Sequence, residues 1–383
     1  MNEFLSPMAA EPSQGAKPTI LIMAGGTGGH IFPAQAVATL LAADGYQIHW
    51  LGTADKMEAR LVPGFGFTFH SIEVRGIRGK GWRDVLTAPW MLLQSFLQAK
   101  RLLRQLQPAL VLGFGGYASG PGGLAAVTAK IPLVIHEQNA VAGTTNRLLA
   151  RVATKVLVAF PSAFVERADR VCLGNPVRAA LISCKVQNNL SKGLNILVVG
   201  GSLGAKVFNQ LLPSQLQQVA ALGPVHVRHQ TGASMAAEVQ ANYASMTVNT
   251  PQLQADVSAF IDDMASNFAW ADVVICRAGA LTVSEVACAG VAAVFVPLPS
   301  AIDDHQTANA RYLSTQDAAV LLPQPQFERG DLVPLLASWL NDRQVLVQMA
   351  GKARALAIDD AAQRVQAICH EIIRSRHAES NLA

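Results

Sequence analysis

A glycine-rich turn directly after a short apolar run occurs twice in this chain, and no other feature restricts its fold as much. Gly25-Gly26-Thr27-Gly28-Gly29-His30 follows the run 19–24, and Gly200-Gly201-Ser202-Leu203-Gly204-Ala205 follows the run 195–199. Each reads as strand, glycine turn, helix, a junction that presents free backbone N–H groups and a positive helix end to an anion. One copy suggests a phosphate site; two copies suggest two nucleotide-binding-type domains facing each other across a cleft.

Length agrees. A chain of 383 residues exceeds what one hydrophobic core usually organises, and two domains of about 150–200 residues are expected. Apolar runs at 19–24, 47–51, 109–112, 133–136 and 156–159, then at 195–199, 225–229, 257–260, 273–276 and 293–297, alternate with helical patterns. Their hydrophobicity is continuous rather than alternating, so the strands are buried on both faces, in parallel sheets covered by helices. The expected fold is α/β, with two Rossmann-like doubly wound domains. The expected divisions are a disordered tail at 1–17, an N-terminal domain at 18–176, a C-terminal domain at 177–358, and a final helix at 359–383 packing back on the N-terminal domain. Gly174-Asn175-Pro176 is the natural hinge.

Several function classes fall away. Gly26-x-Gly28 starts like a dinucleotide fingerprint, but Ile31 stands where the third glycine is needed and Leu51-Gly52-Thr53 offers no acid after the second strand, which disfavours a dehydrogenase. Neither turn contains Gly-Lys-Ser/Thr, which removes the P-loop NTPases. Cys172, Cys184, Cys276, Cys288 and Cys369 have no metal-ligand spacing and read as thiols in a reducing compartment. Asp-x-Asp, the usual metal–diphosphate clamp, does not occur, so no metal and no cofactor is expected. The uncharged stretch 105–129 is broken by glycines and is not a membrane span. The basic excess lies in the first half and concentrates at 75–104, where seven basic residues face one acid, Asp84. They interleave with Trp82, Trp90, Met91 and Leu93, which fits an interfacial helix against anionic lipid through Arg78, Lys80, Trp82, Arg83 and Trp90, or an amphipathic helix with a solvated rim.

A third junction, Arg277 to Glu285, follows the run 273–276. Ala280, Leu281, Thr282, Val283 and Ser284 leave amides free for a diphosphate, and Glu285 lies where it can accept two ribose hydroxyls, unless Thr282 and Glu285 form a capping box. Gln306 and Asn309 stand three apart on the next helix, placed to read sugar hydroxyls or simply solvated. Arg178, just after the hinge, is a candidate to neutralise the diphosphate.

Seven motifs in this order, Gly-Gly-Thr-Gly-Gly-His-Ile-Phe-Pro (25–33), Gly-Gly-Tyr-Ala-Ser-Gly-Pro-Gly (115–122), His-Glu-Gln-Asn-Ala (136–140), Gly-Asn-Pro-Val-Arg (174–178), Gly-Gly-Ser-Leu-Gly-Ala (200–205), Phe-Ile-Asp-Asp-Met (260–264) and Arg-Ala-Gly-Ala-Leu-Thr-Val-Ser-Glu (277–285), resemble the peptidoglycan N-acetylglucosaminyltransferases, GT-B glycosyltransferases of family 28. The resemblance implies transfer of GlcNAc from UDP-GlcNAc to the MurNAc 4-hydroxyl of lipid I, giving lipid II, at the cytoplasmic face of the bacterial inner membrane. It implies UDP-GlcNAc, lipid I, the anionic inner-leaflet surface and cell-wall synthesis or division proteins as partners, and no nucleic acid. Carried over by motif, the donor site comprises Thr27, Gly28 and Gly29, Asn139, Arg178, Ser202, Ile261 meeting the uracil through its backbone, Ala280 to Glu285, and Gln306 on the GlcNAc hydroxyls. Transfer from an α-linked donor to a β-linkage inverts the anomeric carbon and asks for a base, with His30 the candidate and Glu137 its competitor. A UDP-GlcNAc 2-epimerase of the same fold and a non-catalytic sugar-nucleotide sensor are the alternatives.

Overall fold

The computed structural model describes residues 18–74, 82–184, 193–201, 204–299 and 301–382. The tail expected at 1–17, Arg78, Lys80 and Ser202 lie outside the described residues. Two wholly parallel sheets form. The first contains β1 (Thr19–Ala24), β2 (Gln47–Gly52), β3 (Thr68–Ser71), β4 (Leu110–Gly115), β5 (Leu133–Glu137), β6 (Lys155–Val158) and β7 (Val171–Cys172). The second contains β8 (Leu194–Val199), β9 (Val225–Gln230), β10 (Leu253–Ser258), β11 (Val273–Cys276), β12 (Ala292–Phe295) and β13 (Val320–Leu321). Their orders, β3-β2-β1-β4-β5-β6-β7 and β10-β9-β8-β11-β12-β13, reverse at β1/β4 and at β8/β11. In doubly wound sheets ligands bind outside the carboxyl ends of the strands at such a switch point. Both glycine turns leave the first strand of their sheet at this position, and the 277–285 junction leaves β11, its neighbour.

The central strands carry the apolar runs because both faces are covered; Ile20, Leu21, Ile22 and Met23 of β1 are fully buried. The edges differ from expectation. The strand expected at 257–260 is β10, Leu253–Ser258, and Phe260 lies beyond it, 55% exposed. As an edge strand β10 is half-solvated, and its sequence LQADVS carries polar residues that a search for unbroken apolar runs passes over. The strands β3, β7 and β13, of four, two and two residues, are too short to stand out as apolar runs.

The last helix, Ala361–Leu382, lies on the first domain. Its Val365, Cys369 and Ile373 join Ile20, Leu41 and Trp50 in one core, and Gln366 Nε2 donates to Asp44 Oδ2 at 2.6 Å. His370 Nε2 lies 2.9 Å from the same Asp44 oxygen. Among the described residues no helix is long and apolar enough to cross a membrane.

Candidate functional site

In the first domain the glycine turn is held from three sides. Gly25 N–H donates to Gly115 O at 3.2 Å, which ties the turn after β1 to the end of β4. This approach needs Gly116, because a Cβ there would lie 2.7 Å from Gly25 O, with φ +99°. Gly26 N–H donates to Glu58 Oε2 at 2.9 Å, and Glu58 Oε1 accepts from Thr53 N–H at 3.1 Å and Thr53 Oγ1 at 2.6 Å. Glu58 is 1% exposed. Sequence reasoning missed it, since a lone glutamate on a short surface-type helix carries no signal of its own.

The helix Gly28–Ala43 starts with Thr27 at its N-cap and has no side-chain cap. The Gly28 and Gly29 amides are therefore left over at this helix start, while His30 N–H donates to Thr27 O at 3.1 Å. His30 Nδ1 lies 2.9 Å from Gly25 O. A carbonyl only accepts, so Nδ1 carries the proton and Nε2 presents its lone pair.

Glu137, 2% exposed, accepts four hydrogen bonds. Oε1 takes Asn139 N–H at 2.9 Å and Asn139 Nδ2 at 3.3 Å; Oε2 takes Gly143 N–H at 3.0 Å and Asn146 Nδ2 at 2.9 Å. With both oxygens occupied, the carboxylate organises the loop after β5. Beside it, fully buried His136 donates from Nε2 to Gly174 O of the hinge at 3.0 Å. Burial pushes its pKa down to about 4, so the ring is neutral.

That loop meets the second domain through two buried asparagines. Asn309 is 0% exposed; its Oδ1 accepts from Ala140 N–H at 2.8 Å, and its Nδ2 donates to Asn139 Oδ1 and Ala278 O, each at 3.2 Å. Asn309 is therefore an inter-domain tie and not the sugar reader expected beside Gln306. Asn175 Nδ2 reaches Gln138 O at 3.1 Å, Ala280 O at 3.3 Å and Ser284 Oγ at 3.1 Å.

In the second domain a cleft of about 830 Å³ opens at the switch point, lined among others by Gly200, Gly201, Lys206, Gly279, Thr282 and Gln306. The helix Ala280–Ala289 has Gly279 as N-cap with no side-chain cap, and Gly290 ends it at φ +64°. The alternative, a capping box of Thr282 and Glu285, does not form. Leu281 and Val283 pack inward, which leaves the backbone of this first turn and Thr282 toward the cleft. Ser284 Oγ donates back to Ala280 O at 3.1 Å. Gln306 Oε1 accepts from Leu298 N–H at 2.9 Å at the rim.

Buried Gln230 joins the turn to the next loop. Its Nε2 donates to Gly201 O at 2.9 Å and its Oε1 accepts from Ile261 N–H at 3.2 Å. Ile261 thus has only its carbonyl left to offer a base. Arg178 and Glu285, assigned by sequence to diphosphate and ribose, are paired with each other at 3.2 Å. Arg178 also lies over the Phe32 ring of the first domain, 5.5 Å from its centroid. Burial raises the Glu285 pKa, and Arg178 opposes that rise. Among the described residues no group of three or more His, Cys, Asp or Glu side chains is placed to hold a metal.

The helix Trp82–Leu106 buries Ala88, Ser95, Ala99 and Leu103, and turns Trp90, Leu93 and Leu97 outward at 65%, 47% and 54% exposure. The side chains of Trp82 and Arg83 lie outside the described ones.

The model of the glycosyltransferase family 28 N-terminal domain matches residues 20–158, and that of the family 28 C-terminal domain matches 195–365. The UDP-N-acetylglucosamine--N-acetylmuramyl-(pentapeptide) pyrophosphoryl-undecaprenol N-acetylglucosamine transferase of Shewanella amazonensis is 50% identical over 362 residues, covering 93% of this chain and 98% of its own length. The enzyme of the same name from Aeromonas hydrophila is 52% identical over 359 residues, covering 92% and 97%. The crystal structure of Acinetobacter baumannii MurG superposes with TM-score 0.80 at 44% identity, over 93% of this chain and 100% of that one. The calicheamicin glycosyltransferase CalG4, at 16% identity and TM-score 0.63, shares the fold. On these matches and the two facing doubly wound sheets, the chain belongs to glycosyltransferase family 28 and has the GT-B fold.

Proposed function

We infer that this protein is an inverting N-acetylglucosaminyltransferase that moves GlcNAc from UDP-GlcNAc to the MurNAc 4-hydroxyl of lipid I, forming lipid II. The observation that carries it is identity near 50% to transferases of that name along nearly the whole chain, both domains included. The donor fits the second-domain cleft, where Gly200, Gly201, Lys206 and the uncapped start of Ala280–Ala289 converge on one diphosphate. Ser202, Arg178 and the amides of Leu281 and Thr282 stabilise the departing UDP. The carbonyl of Ile261 meets the uracil, Glu285 turns from Arg178 to the ribose, Gln306 reads the GlcNAc, and Asn139 faces it from the opposite wall.

His30 is the base. In the Nδ1–H tautomer that Gly25 O selects, its Nε2 is available, whereas the oxygens of Glu137 already accept four donors. The proton of the acceptor hydroxyl passes to Nε2 as the oxygen attacks the anomeric carbon and the bond to UDP breaks.

Lipid I lies in a bilayer, and the outward stripe Trp90, Leu93 and Leu97 continues along the helix to Lys100, Arg101 and Arg104. This apolar stripe with a basic end docks the first domain on anionic lipid, together with Arg78, Lys80, Trp82 and Arg83. Flotation with vesicles containing anionic lipid tests it: Trp90→Ser with Leu93→Ser should reduce the bound fraction several-fold, and unchanged binding refutes the docking face.

Transfer of radiolabel from UDP-GlcNAc to a lipid I analogue tests the reaction. An epimerase would instead interconvert the free donor without acceptor, and a sensor would bind it unchanged.

A further inference from the structure

Glu58 is a buried carboxylate that the reaction scheme does not use, and it faces the catalytic turn. Gly25 C=O and Gly26 N–H belong to one peptide unit. Its N–H donates to Glu58 Oε2 at 2.9 Å and its C=O accepts from His30 Nδ1 at 2.9 Å. Carboxylate, peptide and imidazole thus form one line, Glu58···H–N–C=O···H–Nδ1 of His30. We propose that Glu58 is the positioning residue of His30, fixing its Nδ1–H tautomer and ring orientation through the Gly25–Gly26 peptide.

Hydrogen bonds in series polarise each other: a carboxylate on the N–H side draws electron density toward the carbonyl oxygen and strengthens its acceptance of the His30 proton. A carboxylate fixes a histidine tautomer in the same way when it bonds the ring directly. Here a peptide stands between them, and the packing is built for it. A Cβ on Gly25 would lie 2.3 Å from Glu58 Oε1, and a Cβ on Gly115 would lie 3.1 Å from His30 Nε2. Thr53 N–H and Oγ1 hold the other carboxylate oxygen, so Glu58 cannot turn away.

This proposal rests on His30 being the base, and the test separates the two. Glu58→Gln keeps the shape. Its single carbonyl oxygen is best directed at the two donors of Thr53, which sets an NH2 group against Gly26 N–H and breaks the line. Nitrogen-15 NMR of the histidine rings, assigned with His30→Gln, should find Nδ1–H at His30 in the unaltered protein and a gain of the Nε2–H tautomer in Glu58→Gln. Turnover should fall roughly 10- to 100-fold, part of the usual general-base contribution, with the KM for UDP-GlcNAc within about twofold. Thr53→Val, which removes only the hydroxyl donor, should leave the tautomer unchanged. Unchanged tautomer and turnover in folded Glu58→Gln overturns the proposal, as does an equal tautomer shift in Thr53→Val. Should Glu58→Gln not fold, the unaltered protein decides: Nδ1–H is expected, and Nε2–H overturns it. A tautomer shift together with undiminished turnover of His30→Gln upholds the positioning by Glu58 and removes His30 as the base.

Discussion

Acidification should destabilise this protein through His136, whose surroundings admit only the neutral ring. Nε2 donates to Gly174 O at 3.0 Å, Gln138 Nε2 approaches Nδ1 at 3.3 Å, and the Phe114 ring stacks on it at 5.3 Å. A proton on Nδ1 would face the amide donors of Gln138 in a site closed to solvent. Burial therefore lowers the pKa from 6.5 to about 4. Between these values the unfolded chain binds a proton that the folded protein refuses. The stabilisation is complete above pH 6.5 and is lost as pH falls toward 4, at about 1.4 kcal/mol per pH unit and about 3 kcal/mol in all. Urea denaturation at about pH 7 and about pH 4.5 should register about 2 kcal/mol of this loss. His136→Gln retains an amide donor for Gly174 O and does not titrate, so its stability should fall by about 2 kcal/mol less over the same interval. His229, likewise buried with its pKa pushed down to about 3, contributes equally to both proteins and cancels in the comparison. Equal losses in the two proteins would refute the argument.

Gly116→Ala forces a Cβ to 2.7 Å from Gly25 O at a φ of +99°; it should cost roughly 1–3 kcal/mol in melting experiments and reduce turnover more than tenfold by moving the turn that carries His30. Asn309→Ala leaves Ala140 N–H and Ala278 O without their partner; urea denaturation should find it destabilised by about 3 kcal/mol, with loosened domain contact visible as faster proteolysis near the hinge.

The doubled fold was legible because its evidence is periodic and local. Central strands buried on both faces announce themselves as unbroken apolar runs, and a glycine turn after each first strand marks the switch point. Edges were not legible, since β10 alternates and β3, β7 and β13 are too short to stand out. The site was legible to the level of loops. Thr27, His30, Thr282 and Gln306 all reach the carboxyl ends of the two sheets, but their partners depend on contacts between distant segments. Nothing near position 58 in the sequence says that a glutamate there will meet Gly26 N–H, and nothing near 309 says that its amide will cross to Ala140. The assignments to Arg178 and Glu285 took each side chain singly, whereas the two are paired across 3.2 Å.

Both glycine turns follow the first strand of their sheet, and the side chains that brace them differ in charge. The first turn gives Gly26 N–H to the carboxylate of Glu58, so an internal negative charge already lies against it. A diphosphate brought there would meet that charge, and at about 5 Å with an effective dielectric near 20 each added negative charge costs about 3 kcal/mol. The second turn is braced by Gln230, which is neutral and bonds the carbonyl of Gly201 rather than an amide. Lys206 begins the helix behind it, and the uncapped start of Ala280–Ala289 faces the same cleft. Positive potential therefore converges on the second turn and is cancelled at the first. This asymmetry supports the proposed reading, in which the second domain holds the negative donor and the first turn receives a neutral hydroxyl and the imidazole that takes its proton.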